Sequence, residues 1–63
     1  MKRVDQLRFL EGQGCRFVRE GGSHTVYLNP VPRRVSVIPR HREINEFLVL
    51  EICKHLEIPP PSA

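Results

Sequence analysis

All four glycines and all six prolines of this 63-residue chain fall in five places, at residues 12–14, 21–22, 30–32, 39 and 59–61. Glycine reaches the left-handed backbone region of tight turns and helix ends, while proline lacks an amide N–H and restricts the residue before it. Each place therefore closes one element, and every segment between them is short. Residues 3–12 set Val4, Leu7 and Leu10 at i, i+3 and i+6 among Asp5, Gln6, Arg8 and Glu11, which predicts an amphipathic helix stopped by Gly12 and Gly14, with Phe9 off the main stripe. Residues 15–20 alternate instead, Cys15 and Phe17 against Arg16 and Val18, and read as a strand. Gly21-Gly22 supplies a turn, and Ser23, Thr25 and Tyr27 then alternate with His24, Val26 and Leu28 in a second strand.

Asn29-Pro30-Val31-Pro32 breaks that pattern, and a third strand runs from Arg33 or Arg34 through Val35, Val37 and Ile38 to Pro39. After the basic corner Arg40-His41-Arg42, residues 43–56 read as a longer helix with Ile44, Leu48, Ile52 and Leu56 as its buried stripe, Phe47 and Val49 flanking it, and Leu50 outside it. Glu43 and Glu46 at its start and Lys54 and His55 at its end match the sign of the helix dipole. Residues 59–63 are expected to form an extended, proline-rich tail. The order is α-β-β-β-α, an α+β domain over residues 1–63 with a three-stranded antiparallel sheet and both helices on one face. The other sheet face is then either polar and solvated or used for binding.

So short a chain has too little interior for a deep pocket or a large cofactor. Domains of this size bury only about 60% of the surface their unfolded chains expose, so a partner would add stability. Ten Lys and Arg against seven acids give a net charge of +3, which leans toward a polyanionic partner. Arg16, Arg19, Arg33, Arg34, Arg40 and Arg42 fall on the strands and their loops, as a phosphate track or as a solvated charged face interleaved with acids. Cys15 and Cys53 have apolar neighbours and no CxxC or Cys/His spacing, which suits buried free thiols, with a disulfide between them as the alternative. No apolar run is long enough to span a bilayer and no secretory signal is present, so a cytoplasmic chain with no membrane contact is expected.

Imidazole is the side chain best matched to proton transfer near neutral pH, so the three histidines carry the chemical question. His55, late in the second helix, suits a structural or dipole role. His41, between two arginines, fits either phosphate positioning or simple exposure. His24 follows Gly21-Gly22-Ser23, where glycine permits close approach of a phosphate to the main chain and the next side chains offer a hydroxyl and an imidazole. The competing reading is a hairpin turn with an ordinary strand histidine after it. If the substrate is RNA, its own 2′-OH serves as nucleophile, and His24 with basic side chains and the backbone N–H groups near Gly22 would suffice without a metal. Scattered acids argue against a carboxylate-held metal, and no histidine pair has ligand spacing on one element.

Taken together, the residues resemble the HicA family of small toxins, the ribonuclease halves of type II toxin-antitoxin pairs. The helix closed by glycine, Phe17-Val18-Arg19, Gly22-Ser23-His24 with Tyr27 after it, Val35-Ser36-Val37-Ile38-Pro39-Arg40-His41 and a last helix with Ile52 follow in the family's order. The start of the last helix differs, since many members carry Gly-Thr where this chain runs Asn45-Glu46-Phe47-Leu48. The resemblance implies a double-stranded-RNA-binding-like fold and an mRNA interferase that needs no cofactor. It implies His24 as the catalytic residue and a Pro-x-His element at Pro39 and His41; Gly22, Ser23, Arg19 and Arg40, on their own chemistry, are expected with His41 to bind RNA or stabilise charge. It also implies mRNA as substrate and a HicB-type antitoxin as protein partner, which an exposed apolar set such as Phe9 and Leu50 would help to contact. A non-catalytic double-stranded RNA binder of the same topology is the alternative, and a pure protein-interaction module a third.

Overall fold

In the computed structural model, which describes residues 1–61, the elements follow as α1 (Arg3–Gly12), β1 (Arg16–Gly21), β2 (His24–Asn29), β3 (Arg34–Pro39) and α2 (Glu46–Leu56). The strands form one antiparallel meander in the order β1-β2-β3. Of the expected tail, residues 62 and 63 lie outside the described residues.

Both helices cover the same sheet face, as the alternation of β2 requires. Tyr27 Oη donates to Glu11 of α1 at 2.8 Å, and Asn29 Nδ2 donates to the Leu56 carbonyl of α2 at 2.7 Å. These two residues are separated by one position, so they point the same way. The core between the layers holds Leu10, Cys15, Tyr27, Ile38, Ile44, Val49, Ile52 and Leu56. The helices lie over β2 and β3, and no residue of the edge strand β1 is buried.

Three sequence expectations are corrected. In α1 the fully buried residues are Gln6 and Leu10, whereas Val4 is 55% exposed and Phe9 packs against the core. The rotation is set at the helix start, where Arg3 reaches across to Pro39 and Thr25. Gly12 remains within the helix, and Gly14, at φ +93°, makes the left-handed closure. In the second helix the first turn begins at Glu46, because Asn45 is the N-cap, its Oδ1 accepting from Leu48 N–H at 2.8 Å. Ile44 is buried, yet it belongs to an extended segment beside the chain's first residues and not to a helical stripe. Val49, Ile52, Cys53 and Leu56 form the buried face of α2, and Phe47 is 73% exposed. The turn after β1 is the third correction. Gly21 ends β1 and the two-residue loop is Gly22-Ser23. Only its first residue has positive φ, +48° at Gly22, as a type II′ hairpin turn demands.

Cys15 and Cys53 are both buried and unpaired, with burial pushing each thiol above its ordinary pKa.

Candidate functional site

His24 is the first residue of β2, exposed, and directly opposite Gly21 on β1 and Pro39 on β3. It lies on the face the helices leave bare, along with Val26 and Leu28 of β2 and Val35 and Val37 of β3. Val35 is 56% and Val37 48% exposed, so this face is apolar and open, with the histidine at one end. Strict alternation along β1 would have put Arg19 on the same side as Phe17, under the helices. A β-bulge changes that. Phe17 pairs with Tyr27 but Arg19 pairs with Val26, leaving Val18 as the extra residue and turning Arg19 to the side of His24.

Gly21 then allows the arginine to lie down along the strand. A Cβ at Gly21 would sit 3.1 Å from Arg19 Nη1, so the guanidinium covers the glycine that pairs with His24. One strand end therefore presents an imidazole, the exposed turn Gly22-Ser23 and a planar cation on one surface. A phosphate placed there would find charge-assisted donors from Arg19 and a proton-transfer group in His24.

Of the other residues singled out by sequence, Arg40 lies close but faces elsewhere. Its backbone N–H donates to the Ser23 carbonyl at 3.3 Å, fixing the turn against the end of β3. Its Nε is 3.1 Å from Glu20 Oε2, and Glu20 pairs with Thr25 on the helix-covered side. His41 is exposed in the β3–α2 connection and makes no hydrogen bond with the turn. His55 is exposed in the last turn of α2, on a different element from His24. No group of three or more His, Cys, Asp or Glu side chains among the described residues converges as a metal site would require.

A network beneath the turn was not foreseen from sequence. Glu20 Oε1 accepts from Thr25 Oγ1 at 3.0 Å, Thr25 Oγ1 accepts from Arg3 Nη2, and Arg3 Nε donates to the Pro39 carbonyl at 3.1 Å. It joins α1, β1, β2 and β3 under the pair formed by His24 and Pro39. Only the alternation of Glu20 and Thr25 is visible in the sequence; the approach of Arg3 depends on where α1 docks.

An α-β-β-β-α domain with an open three-stranded sheet and both helices on one face has the double-stranded-RNA-binding-like α+β architecture. The family described as HicA toxin of bacterial toxin-antitoxin matches residues 5–58, from α1 to just beyond the end of α2. The chain belongs to that family, and so is the toxin member of a toxin-antitoxin pair with an antitoxin as its partner. No curated protein and no solved structure matches it. No described helix is long and apolar enough to cross a membrane.

Proposed function

We propose that the chain, as one HicA-like domain over residues 1–63 with a tail at 59–63, is a metal-independent endoribonuclease that cuts mRNA in the cytoplasm and is held inactive by a HicB-type antitoxin. The observation that carries this is the bulge-directed placement of Arg19 on the open face, over Gly21, the cross-strand partner of His24, beside a turn whose backbone a phosphate can approach. In RNA the 2′-OH attacks the adjacent phosphorus and the bond to the 5′ oxygen breaks, so one proton must leave the nucleophile and one must reach the leaving group. His24 is the proton-transfer group. Arg19 and the N–H groups of Gly22 and Ser23 stabilise the charge that builds on the phosphoryl oxygens, while Arg40 holds the turn through its backbone. His41 meets the RNA farther along the strand.

Purified protein is incubated with RNA in excess EDTA. Cleavage that survives chelation and falls by at least about 100-fold in His24→Ala is the expected result, in line with the usual worth of a general acid or base. Equal cleavage by the variant removes His24 from the mechanism. Salt-dependent retention of an intact RNA duplex without product, the same in His24→Ala, would replace the nuclease by a binding module. For the partner, co-expression of a cognate HicB-type protein is expected to relieve growth arrest.

A further inference from the structure

A second basic surface adjoins the turn, built by residues far apart in the chain. Lys2 pairs with Glu43 in an isolated antiparallel bridge, and the Arg3 N–H donates to the Arg42 carbonyl at 2.8 Å. This pairing lays the β3–α2 connection against the start of α1 and opens a cleft of about 600 Å³ lined by Lys2, Arg3, Val4, Arg40, Arg42 and Glu43. Four of those six side chains are cationic. The one acid, Glu43, is spoken for by the amino group of Met1 at 2.9 Å.

The four cations are not alike. Arg3 is fixed by Pro39 and Thr25, and Arg40 by Glu20, each with guanidinium N–H groups left unused. Lys2 and Arg42 are exposed and make no ion pair or side-chain hydrogen bond among the described residues. Two fixed guanidinium groups and two free charges around one cleft make a receptor for an oxyanion chain. Its position fixes the direction. Arg40 belongs to the cleft, and its N–H is bonded to Ser23, the neighbour of His24.

We infer that this cleft is a binding site for RNA phosphates next to the one acted on at His24, so that a single strand lies across the turn and continues between α1 and the β3–α2 connection. The inference rests on the ribonuclease reading for the identity of the polyanion, whereas the cleft itself stands on the pairing of residues 2 and 43. Lys2 and Arg42 supply most of the variable contact, and Arg3 and Arg40 keep the strand in register with the turn.

The test uses the full chain and a single-stranded RNA with 2′-O-methyl riboses, which binds but lacks the nucleophile. Affinity is followed by fluorescence anisotropy over a salt series. Loss of a phosphate contact to a single strand makes the log–log salt slope shallower by about 0.7, so Lys2→Gln with Arg42→Gln is expected to reduce it by about 1.4, and each single variant by half of that. Lys2→Arg with Arg42→Lys keeps the wild-type slope. Lys54→Gln, at the opposite end of α2, keeps it also. An unchanged slope in the double Gln variant, or an equal loss in Lys54→Gln, overturns the cleft while leaving cleavage at His24 intact. The expected slopes with unmodified RNA left uncut would overturn the ribonuclease reading and leave the cleft. If the wild-type chain does not bind the RNA even at low salt, both fall.

Discussion

The two faces of β2 invert the usual distribution of polarity. Its covered face carries Thr25, Tyr27 and Asn29, at 2%, 4% and 7% exposure, while its open face carries His24, Val26 and Leu28. Polar atoms under the helices are tolerable because each has a fixed partner: Thr25 lies between Arg3 and Glu20, Tyr27 donates to Glu11, and Asn29 donates to the end of α2. Such bonds are directional, so they lock both helices to one register of the sheet. The bare face has the opposite character. Valines and a leucine left half-open beside a histidine serve no core, so that side stays apolar and uncovered.

The sharpest way to break this comparison is to cut aliphatic side chains from opposite faces of one strand. Ile38 is fully buried and Val37, its neighbour on β3, is 48% exposed. Ile38→Ala is expected to cost about 2–5 kcal/mol, and Val37→Ala less than about 1 kcal/mol. A domain of this length holds roughly 3–9 kcal/mol in total, so the first variant should lose a large share of its stability and melt at a much lower urea concentration, while the second melts close to the wild type. Similar losses in both would mean that the open face is packed in solution, for instance against a second copy.

A weaker but more specific effect comes from Tyr27. Burial, then the hydrogen bond to Glu11 and that group's negative charge, push its phenol up to about 12. The folded state therefore holds the proton more tightly than the unfolded chain, whose tyrosine titrates near 10. The stability that this proton confers is complete below pH 10 and declines as the pH rises toward 12, by on the order of 1–3 kcal/mol. Denaturation followed from pH 9 to 12 should show that decline, and Tyr27→Phe should flatten it at the expense of lower stability at neutral pH. A wild-type curve already flat over the range would remove Tyr27 from the elements that lock α1 to the sheet.

How much of this was legible in the sequence depended on whether a feature was local. The five elements and their order followed from glycine and proline placement, and His24 stood out because a turn and a strand start are written within a few residues. Alternation along β2 separated Thr25 and Tyr27 from His24 and Val26, but it did not say which set the helices cover. Hydrophobicity favours the wrong set; hydrogen bonds to α1 and α2 decide. The four-residue spacing from Ile44 suggested a helix start that the Asn45 cap overrides, although an asparagine three residues before Leu48 is itself a readable cap. The bulge at Val18 was hidden because no residue type in Phe17-Val18-Arg19 marks where two residues of one strand oppose one of its partner. The cleft at Lys2 and Arg42 was hidden for a different reason. It exists only where two distant segments pair.

The smallest expected effect probes the exception on the covered face. Ser36 is 4% exposed, and its Oγ has no hydrogen-bond partner among the described residues, unlike the three polar residues of β2. An unpaired buried hydroxyl costs its desolvation without return, so its removal should be neutral or favourable. Ser36→Ala is therefore expected to leave stability unchanged or raise it by up to about 1 kcal/mol, opposite in sign to Tyr27→Phe on the neighbouring strand. The two residues are cross-strand partners, so the pair of variants differs mainly in whether the lost hydroxyl had an acceptor. A loss of about 1 kcal/mol or more in Ser36→Ala would show that this hydroxyl is paired in solution. The covered face would then be uniform, with every polar group of β2 and β3 on that side contributing to the lock between sheet and helices.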